Sequence, residues 1–278
     1  MKKVLLSLLF VAAAFCGNAQ DLKLPALSPT AKISQDFSTS SIDIAYSRPS
    51  MRNRRIFGDV VAYGEVWRTG ANAATKVKFG EDVTVGGQDV KAGEYALYTI
   101  PGEGSWEVIL NKGTGNWGSA GYDKAADVAR FRVKTKGTER TVQTFTIEIS
   151  NITLSSCKID LSWENTMISI PVKANNEERL NTAVDKAINN PAIPYFQAAN
   201  YYFETHQQTD KAWEYVNKAC EQNPKAFYMF FLKARIAQKL GKRDEAIEAA
   251  EKSIELAKGS AFENDYRRQN RKIINALR

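Results

Sequence analysis

The residues best suited to chemistry lie between Tyr46 and Asn72, where five arginines stand among aromatic residues, glycines and a proline. The arginines are Arg48, Arg52, Arg54, Arg55 and Arg68, and Lys76 follows as a sixth cation. Arginine presents a rigid planar fork of N–H donors that fits carboxylates and phosphates. The same fork can tie loops together by donating to backbone carbonyls. The stretch therefore predicts either an anion-binding surface or an internally cross-linked loop.

The binding interpretation also uses residues that lie beyond the arginines. Arg48 precedes Pro49 and is therefore restricted to extended backbone, and Arg68 follows Trp67 directly. Asparagine side chains would add amide donors, and an indole would add a stacking surface. The predicted ligand-binding set is Arg48, Arg55, Trp67, Arg68, Asn72, Asn111 and Trp117. Such a set suits a carboxylated or phosphorylated small molecule, an acidic sugar or a peptide carboxylate.

The structural interpretation of the same arginines stays open at this point. In that alternative Arg48, Arg55 and Arg68 donate to loop carbonyls and to Asp59 or Glu65. A long loop that packs over a β-sandwich has many backbone groups to satisfy, and arginine can satisfy several of them at once. The other two arginines of the stretch are expected to be solvated.

Composition restricts the enzymatic chemistry. The only histidine is His206, which lies in a helical segment far along the chain from the arginines. The β-rich part therefore cannot build a Ser-His-Asp triad, a Cys-His pair or a histidine metal site. Gly113-Thr-Gly115 does not stand between a strand and a helix, as a phosphate-binding loop would. The sequence predicts no cofactor and no metal site, and it identifies no catalytic residue.

Paired carboxylates are the enzymatic chemistry that remains. Glycoside hydrolases need two acids a few ångströms apart. Glu65, Glu94, Glu107 and Asp123 lie near glycines and aromatic residues that could line a cleft. Their spacing selects no pair, so a glycan hydrolase is an alternative, and binding without catalysis is preferred.

The N-terminus has the pattern of a secretory signal. Two lysines precede the apolar run 4–15, and Ala19 offers a small residue for cleavage. We predict a signal peptide over residues 1–19, a linker over 20–27, and a periplasmic or extracellular location. Lipoprotein anchoring through Cys16 is less favoured because a bulky residue precedes it. No later apolar run is long enough to predict a transmembrane helix.

Charge and cysteine content limit the partners. The net charge of +7 falls to +5 when the signal peptide with its two lysines is removed, and acids and bases are interspersed. An exported chain with this charge pattern is not expected to bind nucleic acid. Cys157 and Cys220 lie in different predicted domains, so we expect two buried thiols and no disulfide.

Residues 28–173 show the alternation of apolar and polar residues that is typical of β-strands. In 144–150, for example, Phe145, Ile147 and Ile149 share one face. Roughly ten short strands without intervening helices predict an antiparallel β-sandwich or a partly closed barrel. The other predicted strands are 31–37, 41–47, 74–79, 83–85, 94–100, 105–111, 128–134, 158–163 and 168–172, with a turn near Asn165 between the last two.

Residues 174–278 carry a repeat. Ala212 and Ala246 are 34 residues apart, as are Ala219 and Ser253, and 34 residues is the tetratricopeptide period. Small residues at such positions let paired helices approach closely.

Two further helices are predicted to flank the repeats, one over 177–189 and a capping helix around 262–277. The predicted fold is therefore an α+β multidomain chain. An antiparallel β-sandwich is followed by a small α-helical, tetratricopeptide-like array. Arrays of this kind usually bind partners or pack on a neighbouring domain.

Six short motifs resemble the signatures of domain-of-unknown-function family 2911. They are Tyr46-Ser-Arg-Pro49, Arg55-Ile-Phe-Gly58, Trp67-Arg-Thr-Gly-Ala-Asn72, Ala92-Gly93-Glu-Tyr95, Thr99-Ile-Pro101 and Asn116-Trp-Gly118. The resemblance covers about residues 28–173 and implies an exported bacterial protein, often with a helical extension. The family brings no established activity, so the resemblance supplies no chemistry.

The sequence thus leads to three functional hypotheses. The preferred one is non-catalytic recognition of an anionic or glycan-like ligand by the β-domain, with the helical array binding a partner or bracing the fold. A glycan hydrolase with paired carboxylates is the first alternative, and a scaffold without a small ligand is the second. Arginines that converge without acids would favour binding, and arginines engaged entirely by internal bonds would favour the scaffold.

Overall fold

The computed structural model describes residues 24–188, 194–205 and 208–278. The predicted signal peptide, Cys16 and His206 lie outside these ranges, so the predictions made for them are not addressed by the fold. No helix within the described ranges is long and apolar enough to cross a membrane.

The N-terminal unit is built from strands of two antiparallel sheets. The strands are β1 (Thr30–Phe37), β2 (Ser40–Ser47), β3 (Thr75–Phe79), β4 (Val83–Val85), β5 (Gln88–Val90), β6 (Gly93–Ile100), β7 (Ser105–Asn111), β8 (Asp127–Lys134), β9 (Lys136–Ser150) and β10 (Ser156–Ala174). One sheet has the order β1-β2-β3-β6-β7-β8 and the other the order β5-β4-β10-β9. The predicted β-sandwich is confirmed, and the sheets do not close into a barrel.

Alternation of side chains produces the core between the sheets. On β2, Ile42, Ile44 and Tyr46 are buried while the residues between them are half-buried. On β9, Phe145 and Ile147 face the same core from the other sheet. Because successive side chains of a strand point to opposite faces, each strand gives one apolar row to the core.

Strand β10 differs from the sequence prediction, which divided it into two strands. It is continuous from Ser156 to Ala174, but Glu164 has a φ of +54° and the pairing with β9 shifts register on both sides of that residue. The amide of Ala174 donates to the carbonyl of Ser155 over 2.9 Å, so the two ends of β10 lie side by side. The predicted reversal near Asn165 is therefore present inside one continuous strand. The prediction also missed β5 and began β9 eight residues late.

The arginine-rich stretch forms the long connection from β2 to β3. Isolated bridges join Ser50 to Thr144 on β9 and Trp67 to Thr99 on β6, so the connection is held to both sheets. Ile56 and Phe57 from this connection are buried in the core between the sheets. Apolar side chains thus fix the connection, and most of its arginines remain at the surface.

The C-terminal unit is helical. Its helices within the described residues are α1 (Glu177–Ile188), α2 (Tyr195–Glu204), α3 (Thr209–Gln222), α4 (Phe227–Lys239), α5 (Arg243–Ala257) and α6 (Glu263–Leu277). Neighbours along the chain pack together from α2 to α6. The predicted small residues Ala212, Ala219, Ala246 and Ser253 are all fully buried, which confirms the 34-residue spacing as helix-packing positions.

Candidate functional site

Arg48 joins the two sheets. Its Nε donates to the carbonyl of Phe145 over 3.1 Å, and its Nη2 donates to the hydroxyl of Thr146 over 2.8 Å. Both partners lie on β9, whereas Arg48 directly follows β2. The side chain of this predicted ligand-binding residue is therefore engaged by internal bonds, as the structural interpretation expected.

Trp67 lies in the core. It is only 7% exposed, and its ring stacks on Trp163 with centroids 6.0 Å apart and an interplanar angle of 19°. Its indole N–H donates to the carbonyl of Gly70 over 3.0 Å. Trp106 and Trp163 are also buried. The structure thus offers no open indole surface at Trp67.

Asn111 organises the loop between β7 and β8. Its amide donates to the carbonyl of Asp123 over 2.8 Å and to the carboxylate of Asp127 over 2.7 Å, and its carbonyl accepts from the amide of Gly113 over 2.7 Å. The residue is fully buried. Asn111 therefore positions the loop and does not face solvent.

A polar network that the sequence analysis did not identify supports the same loop. Asn116 donates to the hydroxyl of Tyr98 over 3.1 Å and to the carbonyl of Gly121 over 3.1 Å. Tyr122 donates to Asp127 over 2.9 Å, and burial is the main cause that raises the pKa of Tyr122 to about 12. These residues are spread over three elements, so no local sequence signal could have joined them.

Arg130 completes this network on the outer face of the larger sheet. Its guanidinium donates to Glu107 over 2.8 Å and to Asp127 over 2.8 Å, and it also contacts the hydroxyl of Tyr122. Because donors and acceptors are paired, the network is a rigid support and not a free binding site. The loop over residues 112–126 is consequently held in one conformation at several points.

Trp117 is the residue that this loop exposes. Its side chain is 73% exposed, in contrast to the buried rings of Trp67, Trp106 and Trp163. Its backbone pairs with Ala73 in an isolated antiparallel bridge. The amide of Gly118 donates to the carbonyl of Asn72 over 3.0 Å. A large aromatic ring is thus held in solvent by a fixed backbone.

Arg68 lies against the same loop. Its Nη1 is 3.6 Å from the position that a Cβ at Gly118 would occupy, and Gly118 directly follows Trp117. Its Nε is buried without a hydrogen-bond partner. Among the described residues no carboxylate pairs with Arg68, and neither Asp59 nor Glu65 contacts it. Arg68 therefore keeps unpaired donors beside the backbone segment that carries Trp117.

Asn72 holds the N-terminal segment to this region. Its amide donates to the carbonyl of Ser28 over 3.3 Å and to the hydroxyl of Ser47 over 3.2 Å. Arg52 donates to the carbonyl of Leu27 over 2.8 Å. The amide of Asn72 is thus engaged by the chain itself, although the residue is exposed.

The remaining arginines divide into bonded and free. Arg54 donates to the carbonyls of Met51 and Ser50, so, like Arg52, it is exposed but not simply solvated as predicted. Arg55 is exposed and lies near Gly58, and within the described part of the chain its side chain makes no hydrogen bond or ion pair.

The four candidate acids serve different purposes. Glu94 pairs with Lys76 over 3.3 Å, and Glu107 pairs with Arg130. Asp123 caps a short 3-10 helix by accepting from the amide of Ala125 over 2.9 Å. Glu65 is exposed. In the ranges that the structure covers, no group of three or more histidine, cysteine, aspartate or glutamate side chains could hold a metal ion.

The larger grooves of the protein lie away from Arg68 and Trp117. One of about 530 Å³ runs along α1 and is lined by residues such as Arg179 and Lys186. Another of about 420 Å³ lies beside the ends of β10 and is lined by residues such as Lys158 and Lys173. Neither Arg68 nor Trp117 lines these two grooves.

The fold and this surface define a two-unit protein in which a β-sandwich precedes a tetratricopeptide-like helical array. The chain belongs to the family described as "Protein of unknown function (DUF2911)", whose model matches residues 28–172. A second family model, described as "N-terminal acetyltransferase A, auxiliary subunit", matches residues 156–265. That match covers β10 and the helices α1 to α5, and it ends at the start of α6. No curated protein matches the chain.

Proposed function

We propose that the β-sandwich recognises an anionic or glycan-like ligand without catalysis at the surface formed by Arg68 and Trp117. The observation that carries this proposal is the guanidinium of Arg68, which makes no hydrogen bond or ion pair with any described residue. Its Nε is enclosed, but its two Nη atoms are not among the side-chain atoms that are buried without a partner. A ligand carboxylate or phosphate would accept hydrogen bonds from these Nη groups.

The exposed ring of Trp117 supports the same proposal. Single apolar side chains are common at protein surfaces, but an exposed indole also offers a face on which the ring of a ligand can stack. The loop is fixed by Asn111 and Asn116, so the ring would lose little freedom when a ligand stacks on it. Pre-organisation of this kind lowers the entropic cost of binding.

The predicted ligand set is accordingly narrowed. Arg68 and Trp117 are proposed to contact the ligand, while Asn111 positions the loop and Asn72 fixes both the loop and the N-terminal segment. Arg55 is free but has no indole beside it, so it serves as a matched control. The internal bonds of Arg48 and the core position of Trp67 assign these two residues to the fold.

The proposed roles of the other parts of the chain follow from different observations. Export to the periplasm or exterior is proposed from the signal-like N-terminus, and a mature chain beginning at Gln20 would be its direct test by mass spectrometry. The helical array is proposed to brace the sandwich, because Asn176 and Arg179 donate to Glu81 between β3 and β4. Binding of a protein partner by the array stays a second proposed role.

The binding proposal is tested by titrating the purified protein with a panel of small anions in saturation-transfer NMR. The panel would include citrate, glucose 6-phosphate and glucuronate. We expect at least one anion to bind, and we expect Arg68→Met and Trp117→Ala to weaken that binding. Arg55→Met and Phe262→Ala are matched controls, because Arg55 is a free arginine and Phe262 is an exposed ring in the helical unit.

Two results would overturn the proposal. The first is that no anion of the panel binds to the wild-type protein. The second is that the two control variants weaken binding as much as the Arg68 and Trp117 variants do. The scaffold hypothesis would then be preferred.

A further inference from the structure

The arrangement of Arg68 and Trp117 also bears on the class of ligand. We infer that the ligand is a carboxylated pyranose, whose carboxylate binds Arg68 while one face of its ring stacks on Trp117. This inference rests on the proposed function and makes it more specific.

The first argument is the proximity of the two groups. Arg68 Nη1 lies 3.6 Å from the position of a Cβ at Gly118, and Gly118 is the chain neighbour of Trp117. Consecutive Cα atoms are about 3.8 Å apart, so the anion-binding group lies close to the backbone from which the ring projects. A ligand that uses both must carry its charge directly on a ring. A uronic acid does so, because its carboxyl carbon is attached to the pyranose ring.

The second argument is the geometry of the arginine. The two Nη groups of a guanidinium can donate together to the two oxygens of a planar carboxylate. The Nε of Arg68 is enclosed, whereas its two Nη groups are not among the buried unpaired atoms and make no bond to a described residue. The backbone on either side is fixed, since the carbonyl of Arg68 accepts from the amide of Thr75 over 3.1 Å. The fork is therefore held in place for a planar acceptor.

The third argument is the openness of the surface. Trp117 is 73% exposed and lines neither of the two larger grooves described above. An open indole covers one side of a ligand and leaves the other side in water. A pyranose suits this arrangement, because one of its faces consists mainly of C–H groups while its hydroxyl groups remain hydrated. A flat aromatic acid would leave its second apolar face in solvent.

The test compares matched probes by saturation-transfer NMR on the purified protein. The probes are methyl glucuronoside, its methyl ester, acetate and benzoate. The ester retains the ring without the charge, and acetate retains the charge without the ring. We expect the glucuronoside to bind about tenfold or more tightly than the ester or acetate, since the ester lacks the charged hydrogen-bond acceptor and acetate lacks the ring.

Two variants connect the binding to the inferred contacts. Arg68→Lys keeps the charge but loses the fork, so we expect about a tenfold weaker interaction with the glucuronoside. Trp117→Ala should remove the saturation transfer to the ring protons, while Trp117→Phe should retain part of it. Circular dichroism of each variant would verify that the fold is retained.

The remaining outcomes separate this inference from the proposed function. If acetate or benzoate binds as tightly as the glucuronoside, the anion site stands and the pyranose assignment is wrong. If the ester binds equally well, the surface recognises sugars and the role of Arg68 is wrong. If none of these probes and no member of the earlier anion panel binds, both proposals fail together.

Discussion

The side-chain amide of Asn176 donates to the carboxylate of Glu81 over 2.6 Å and so joins the start of the helical unit to the sandwich. Glu81 lies between β3 and β4, and its side chain is 12% exposed. Its oxygens also accept from the amide and hydroxyl of Thr39 and from Arg179. One carboxylate therefore binds the β1–β2 turn and the first helix together.

Replacing this carboxylate should destabilise the junction. Glu81→Gln introduces N–H donors where the surrounding groups also donate, and we expect it to lower the free energy of unfolding by about 1–3 kcal/mol. Urea denaturation of the full chain would measure the change. Glu94→Gln is the control, since Glu94 forms a half-exposed pair with Lys76 and should cost no more than about 0.5 kcal/mol. Equal effects of both variants would contradict a structural role for the junction.

The arginines of the β2–β3 connection should separate into two classes by stability. Arg48→Met removes the guanidinium that donates to the carbonyl of Phe145 and the hydroxyl of Thr146. We expect it to lower the free energy of unfolding by about 2–3 kcal/mol. Arg55→Met removes an exposed side chain without a bonded partner and should change stability by no more than about 0.5 kcal/mol. Thermal unfolding monitored by circular dichroism would compare them. A small effect of Arg48→Met would show that its internal bonds contribute little.

Two core tryptophans should respond differently to the same substitution. Trp67→Phe removes the N–H that donates to Gly70 and should cost about 2–4 kcal/mol. Trp106 is also buried, but its indole N–H has no hydrogen-bond partner among the described residues. Trp106→Phe removes that unpaired group. We therefore expect the free energy of unfolding to fall by about 1 kcal/mol less in Trp106→Phe than in Trp67→Phe. Chemical denaturation of both variants would measure the two losses of unfolding free energy. A larger loss for Trp106→Phe than for Trp67→Phe would contradict this prediction.

The two thiols should be protected in the folded protein. Cys157 and Cys220 are free and buried, and burial raises the pKa of each to about 11. Because the thiolate is the reactive form, little of it exists near neutral pH. Ellman's reagent at pH 8 should therefore react slowly with the native chain and rapidly after unfolding in guanidinium. Rapid reaction of either thiol in native buffer would show that it is accessible.

Several features of the fold could be predicted from the sequence because they depend on local periodicity. Alternation over 144–150 identified the core-facing Phe145 and Ile147, and the 34-residue spacing identified Ala212 and Ala246 as helix contacts. Strand β5 was missed because three residues are too few to show an alternating pattern. The reversal of β10 was expected, but its continuity across Glu164 depends on pairing with β9, which no local pattern encodes.

The candidate site depends on both the sequence and the tertiary structure. By itself, the sequence determined which side chains could bind an anion, and it limited them to one connection and one loop. Only the tertiary structure decided that Arg48 joins two sheets, that Trp67 is buried, and that Arg68 remains unpaired beside Trp117. The physical reason is that burial and pairing are set by contacts between residues distant in the chain. Phe145, for example, lies 97 residues from the arginine that it binds.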